Sequence, residues 1–149
     1  MMNKMVLIAV TSLFATNVAF AASNMNATPD DMNALPPAKT AGPITYITGG
    51  VGLVQSQAFE KAARNYPLEL EFVVKAKPRD QFNADVNVNI LDAHGKSMLK
   101  TVSNGPFLLA KLPAGRYSVQ ATDESGRTIV RHVGVTGAGH QRLVFEWTA

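Results

Sequence analysis

Cysteine is absent from the 149 residues of this chain. The absence excludes disulfide bonds, thiolate nucleophiles, iron–sulfur clusters and zinc sites built from thiolates. A lipid anchor on an N-terminal cysteine is excluded for the same reason. A protein without these cross-links must be held together by packing alone.

Clustered charge is also lacking, because 14 basic and 11 acidic residues are spread along the chain and the formal net charge is only +3. Binding to nucleic acid needs a basic patch or stripe, so we expect no nucleic-acid partner. Apolar residues make up 46% and charged residues 17%, which is typical of a globular protein and not of a disordered one.

Long apolar runs are missing except near the N-terminus. Lys4 precedes the mostly apolar run Met5–Ala15, which is shorter than the ~20 residues that a membrane-spanning helix needs. The small-x-small pattern Ala19-Phe20-Ala21 follows. This order predicts a secretory signal peptide at Met1–Ala21, with a buried N-terminal helix as the alternative. We expect a periplasmic or secreted mature chain without a transmembrane segment.

The next segment, Ala22–Pro43, is rich in Ala, Asn, Thr and Pro. Such a composition buries too little apolar surface to offset the entropy of ordering it. The sequence therefore predicts a flexible linker, followed by a single folded domain from Ile44 to Ala149.

The start of this domain predicts one short strand and one helix. Ile44–Thr48 is β-branched and aromatic, which favours a strand. Apolar residues then fall at helical spacing, predicting a helix over Val54–Tyr66 with Ser56 as N-cap and Pro67 as its stop.

After Pro67 the apolar residues recur at every second position, and turn residues interrupt the pattern every 8–12 residues. This pattern predicts a mainly β fold, a seven-stranded antiparallel Greek-key sandwich. The predicted strands are Leu68–Val74, Val86–Ile90, Lys96–Ser103, Phe107–Leu112, Arg116–Thr122, Arg127–Val135 and His140–Trp147.

The stretch Leu112–Val119 reads L-P-x-G-x-Y-x-V, in which Pro113 and Gly115 suit a turn and Tyr117 points back into the core. This motif and the hairpin Ala84–Lys96 resemble the carboxypeptidase regulatory-like domains, which are transthyretin-like (prealbumin-like) seven-stranded sandwiches. The segment Tyr46–Tyr66 resembles small hypothetical periplasmic proteins of Proteobacteria that carry this sandwich.

The resemblance implies a structural or binding unit, since such modules usually accompany a catalytic domain. Transthyretin-like hydrolases end in Tyr-Arg-Gly-Ser, whereas this chain ends in Phe-Glu-Trp-Thr-Ala. That departure argues against an enzyme.

Three short segments partly match known ligand-binding motifs, and for each of them we favour an interpretation without a ligand. Gly95-Lys96-Ser97 ends like a phosphate-binding loop, but a strand and not a helix follows it, so we interpret it as a hairpin turn. Asp85–Asn89 begins like an EF-hand loop but lacks its glycine and closing acid, which favours a solvated strand face. Gly49–Gly52 before a helix suits an anion or a flexible connection, and we favour the connection.

No catalytic constellation stands out in the sequence. His94, His132 and His140 supply too few ligands for a metal site, and no serine-hydrolase, zinc-protease or paired-carboxylate pattern is visible. We therefore expect no cofactor, no metal and no enzymatic activity.

The strand Phe107–Leu112 is apolar on both faces. If Leu108 and Ala110 face the core, Phe107 and Leu109 point outward, where either the helix covers them or they form an exposed strip that receives a partner. Trp147 is the other candidate contact, since it suits either the core or a sugar ring. The expected partner is an unidentified envelope protein or, alternatively, a glycan bound in the manner of starch-binding-like modules.

Overall fold

The structure, a computed structural model, describes residues 35–149. The predicted signal peptide, Met1–Ala21, and the first part of the predicted linker lie outside these residues. The described part of the chain forms two β-sheets and one short helix. No helix within it is long and apolar enough to cross a membrane.

Ten strands and one helix follow one another along residues 35–149. The strands are β1 (Lys39–Ala41), β2 (Ile44–Gly49), β3 (Leu68–Lys75), β4 (Gln81–Phe82), β5 (Val86–Leu91), β6 (Ser97–Ser103), β7 (Phe107–Lys111), β8 (Gly115–Thr122), β9 (Thr128–Val135) and β10 (Gln141–Thr148). The helix α1 (Leu53–Ala63) lies between β2 and β3.

The strands form two sheets of unequal size. Sheet A has six strands in the order β1-β2-β7-β3-β10, with β4 paired to β3, and sheet B has four in the order β6-β5-β8-β9. Strand β10 runs parallel to β3, from Gln141 opposite Leu68 to Thr148 opposite Lys75. All other pairs within residues 35–149 are antiparallel, so sheet A is mixed.

The prediction of seven antiparallel strands is therefore wrong in number and in direction. All seven strands predicted after Pro67 exist, as does the short strand from Ile44, but β1 and β4 are added and β10 is parallel to β3. Residues Lys39–Ala41 were assigned to the linker, yet they pair with Ile44–Tyr46 across the turn at Gly42, which has φ of 55°.

The main core lies between the two sheets. It is built from the inward side chains that the period-two pattern predicts: Leu68, Leu70 and Phe72 of β3, Val86, Val88 and Ile90 of β5, Tyr117, Val119 and Ala121 of β8, and Phe145 and Trp147 of β10. Each such aliphatic or phenyl side chain contributes roughly 1.5–3 kcal/mol through burial.

A second, smaller core lies between α1 and the outer face of sheet A. Phe59 of α1 stacks on Phe107 of β7 with ring centroids 5.8 Å apart, and Leu109 and Ala63 pack beside them. Phe107 is 2% exposed and Leu109 is 0% exposed. Of the two alternatives for the outward side of β7, cover by the helix is therefore the one that the structure shows, and no exposed strip is left there.

The helix begins three residues before the predicted N-cap. Gly52, with φ of 85°, occupies the N-cap position, and Ser56 lies buried inside the helix, where its hydroxyl donates to the Leu53 carbonyl. Gln55 Oε1 instead accepts the N–H groups of Gly50 (2.8 Å) and Val51 (3.2 Å), which precede the helix. These bonds attach the glycine-rich segment to the first turn of α1, which suits its interpretation as a connection between β2 and the helix.

Candidate functional site

The two sheets differ in what lies on their outer faces. The outer face of sheet A carries α1, whereas no helix or strand of residues 35–149 packs on the outer face of sheet B. We call this surface the open face; its side chains are mostly exposed or half-exposed and include Asn87, Asn89, Lys100, Ser118, Gln120 and His132.

A broad depression occupies the half of the open face nearest the β5–β6 turn. Its volume is about 1020 Å³, and Asp92, Arg116, Ser118, Gln120 and His132 are among its lining residues. A second depression of about 340 Å³, lined by Asn87, Asn89 and Lys100 among others, shares Gln120 with it. The open face therefore offers one continuous, shallow surface rich in amide, hydroxyl and cationic groups.

Two aspartates shape the turns at opposite ends of sheet B. Asp92 Oδ1 accepts the N–H groups of His94 and Lys96, each at 2.9 Å, and Asp123 Oδ1 accepts those of Ser125 and Arg127 at 3.0 and 2.8 Å. The hydrogen bond from the Lys96 N–H lowers the pKa of the Asp92 carboxyl. The Asp92 carboxylate, which lines the larger depression, is thus already engaged in hydrogen bonds within the β5–β6 turn.

Ser118 and His132 form the one pair on the open face that suggests chemistry. Ser118 Oγ and His132 Nδ1 are 3.0 Å apart, and both groups are exposed on adjacent strands. In the hydrogen bonds of residues 35–149, no carboxylate binds the other ring nitrogen, and the same residues contain no group of three metal-ligating side chains. An unshielded pair without an orienting acid lacks the arrangement of a catalytic triad.

A corner of the molecule is closed by a polar cluster that joins the sheets. Arg127 Nε and the Asp123 carboxylate are 2.8 Å apart, and Arg127 NH1 donates to the Thr148 carbonyl at 2.6 Å. Trp147 Nε1 donates to the Arg127 carbonyl at 3.0 Å. Burial acts to raise the pKa of the Asp123 carboxyl, but the hydrogen bonds and charge of Arg127 outweigh it and lower that pKa.

A second charged cluster lies beside α1, where β3 and β10 begin. Glu69, which is 5% exposed, accepts from His140 Nε2 at 3.1 Å and has Arg142 Nε at 3.7 Å, while Arg142 also binds Glu71. His140 Nδ1 lies 2.8 Å from the Tyr66 carbonyl oxygen. The cluster binds the parallel strands to each other and to the end of the helix, so its charges are paired internally.

The residues proposed from the sequence as partner contacts are not on the surface. Phe107 and Leu109 lie under α1, and Trp147 is 3% exposed and belongs to the main core. Of the three histidines considered for a metal, His132 and His140 have different neighbours, since His132 contacts Ser118 and His140 contacts Glu69. The sequence does not distinguish the open face as a binding surface, because polar residues at alternate positions occur on every strand with a solvated side.

Comparison with known proteins finds no family model that matches this chain and no curated protein that matches it. The structure itself shows a mainly β domain of two sheets with a sandwich-like arrangement.

Proposed function

We propose that this chain is a non-enzymatic interaction module of the bacterial envelope, which binds a protein partner through the open face of sheet B and its edge. One observation carries the proposal: α1 covers the outer face of sheet A, while the equivalent face of sheet B is left free within the described residues. A broad depression that is lined by both polar and apolar groups, on an uncovered sheet face, is a surface that suits recognition.

The location in the envelope and the family remain part of this proposal. Export follows from the predicted signal peptide at Met1–Ala21. The carboxypeptidase regulatory-like assignment rests on the motif at Leu112–Val119. In this turn Tyr117 Oη donates to the Pro113 carbonyl at 2.6 Å, and burial raises the pKa of the Tyr117 phenol, which keeps it a donor.

A glycan ligand has less support than a protein ligand. Sugar rings are commonly held by exposed aromatic side chains. Tyr46, Tyr117 and Trp147 are buried, although Tyr117 is among the lining residues of the larger depression. Within residues 35–149, the open face carries no exposed Phe, Tyr or Trp side chain.

Site-specific photo-crosslinking in the living envelope tests the proposal. A photoreactive residue at Gln120, on the open face, is expected to give a discrete protein adduct. The matched control places it at Lys61, an exposed residue of α1 on the other side of the sandwich. An adduct from Gln120 and none from Lys61 supports the proposal; equal adducts from both positions, or one from Lys61 alone, contradict it.

A further inference from the structure

Strand β9 forms one edge of sheet B and, within residues 35–149, pairs only with β8. The turn before it begins with a hydrogen bond from the Asp123 N–H to the Arg127 carbonyl. Because hydrogen-bonded and non-hydrogen-bonded pairs alternate in an antiparallel ladder, Ile129, Arg131 and Val133 bind β8. The main-chain groups of Thr128, Val130, His132 and Gly134 then face away from the sheet.

Cationic side chains flank this edge on both sides. Arg131 lies opposite Val119, on the core side of the sheet, yet its side chain is exposed. On the outer side, Arg116 lies opposite Gly134, which has no side chain, and both line the larger depression. Neither arginine forms a salt bridge within residues 35–149.

The position of Arg131 disfavours a second copy of the chain as the occupant of this edge. An antiparallel pair of β9 strands that uses all four open residues must place Thr128 opposite Gly134 and Val130 opposite His132. That register puts Arg131 directly opposite its own copy, in a non-hydrogen-bonded pair where the side chains are closest. Like charges in that position are destabilising, and inward-pointing charges are a known protection of sheet edges.

We propose that β9 accepts an extended acidic segment of another protein as an added antiparallel strand, an inference that rests on the proposed function and names its partner class. The main chain of the segment binds the open groups of β9, and charge supplies the selectivity. In an antiparallel strand, the residues opposite Arg131 and Gly134 are three positions apart and lie on opposite faces. The partner therefore carries two acidic residues three positions apart, one for Arg131 and one for Arg116.

The test uses a synthetic ten-residue peptide of alternating Thr and Val, with Glu at two positions three apart, titrated into the isotopically labelled protein. We expect the amide resonances of Thr128, Val130, His132 and Gly134 to shift most. The matched control is the same peptide with Lys at both positions. Arg131→Glu, at an exposed site, is expected to weaken binding of the Glu peptide about tenfold and to gain binding of the Lys peptide.

A second variant separates strand addition from attraction between charges. Val130→Pro removes an outward N–H without removing a bond to β8 and is expected to abolish binding while Arg131 stays in place. Four results would each overturn the inference. They are equal binding of the Glu and Lys peptides, unchanged affinity of the Val130→Pro variant for the Glu peptide, resonance shifts centred on β6 or β10, and a dimer in the absence of peptide. Crosslinking at Gln120 would still decide the proposed function, so the two failures are distinguishable.

Discussion

At the scale of single residues, Asp123 and Arg127 join structure that lies far apart in the chain. Asp123 is buried at 5% exposure, closes the β8–β9 turn and holds the Arg127 guanidinium, which in turn binds the last residue of β10. Trp147 completes the contact from the other sheet. This turn therefore also joins the two sheets, at a corner where β9 and β10 are the edge strands within residues 35–149.

Asp123→Asn is expected to lower the free energy of unfolding at pH 7 by about 1–2 kcal/mol, because a charge-assisted hydrogen bond is lost. The folded pKa of Asp123 lies below its unfolded value of 3.8. Its carboxylate therefore stabilises the fold above that pH, and this contribution is lost as pH falls through the folded pKa.

Urea unfolding of the wild type and of Asp123→Asn between about pH 6 and pH 3 measures the difference in stability and its dependence on pH. Over that range the variant should lose less stability than the wild type. Glu124→Gln, in the same turn but exposed, is the control and should change stability by less than about 0.5 kcal/mol. An equal loss with pH in wild type and Asp123→Asn would contradict the role assigned to Asp123.

Near α1, glycines allow two close contacts that a larger residue would prevent. A Cβ at Gly105 would collide with the backbone of Gly49, and a Cβ at Gly50 would collide with the Phe107 ring. Gly50 also has φ of 96°, which L side chains rarely adopt. These contacts let β2 and the β6–β7 turn lie close enough for Phe107 to reach Phe59.

At the scale of elements, α1 determines which sheet face is free. Its buried side is short, with Phe59 and Ala63 on sheet A and Ser56 buried at its start. Phe107 is enclosed by Phe59 on one side and has Phe82 at 5.5 Å between ring centroids. The helix is therefore attached mainly through one aromatic cluster.

Phe107→Ser is expected to cost about 3–5 kcal/mol, because it removes a fully buried phenyl ring and leaves a cavity under the helix. Val102→Ser, which changes a half-exposed apolar residue of β6, is the matched control and should stay within about 0.5 kcal/mol. Melting temperature and urea midpoint report the difference. A near-wild-type melting temperature for Phe107→Ser would mean that the helix does not cover β7.

The elements that were predictable are those with long, regular patterns. Leu68–Lys75 and Val86–Leu91 alternate apolar and polar positions over enough residues to define a strand and its buried side. Lys39–Ala41 and Gln81–Phe82 are too short to show any period and become strands only because neighbours pair with them. The direction of β10 was not predictable, because alternation is the same in parallel and antiparallel strands.

At the scale of the whole molecule, the sandwich has one covered and one free side. The covered side pairs its charges internally, as Glu69 does with His140 and Arg142. The free side carries polar side chains and, at β9, unpaired main-chain groups. The covered face was one of two alternatives that the sequence offered, because Phe107 and Leu109 point outward from β7. The free face of sheet B could not be derived, because alternating polar residues occur on every solvated strand.

Amide hydrogen exchange along β9, measured by NMR on the free protein, tests directly whether this edge is open. Ile129, Arg131 and Val133 donate to β8 and should exchange slowly, whereas Val130, His132 and Gly134 face away from the sheet and should exchange fast. This alternation is the result that the open edge predicts. Uniform protection of all six amides would show that the edge is already covered and would contradict the assignment of β9 as a binding strand.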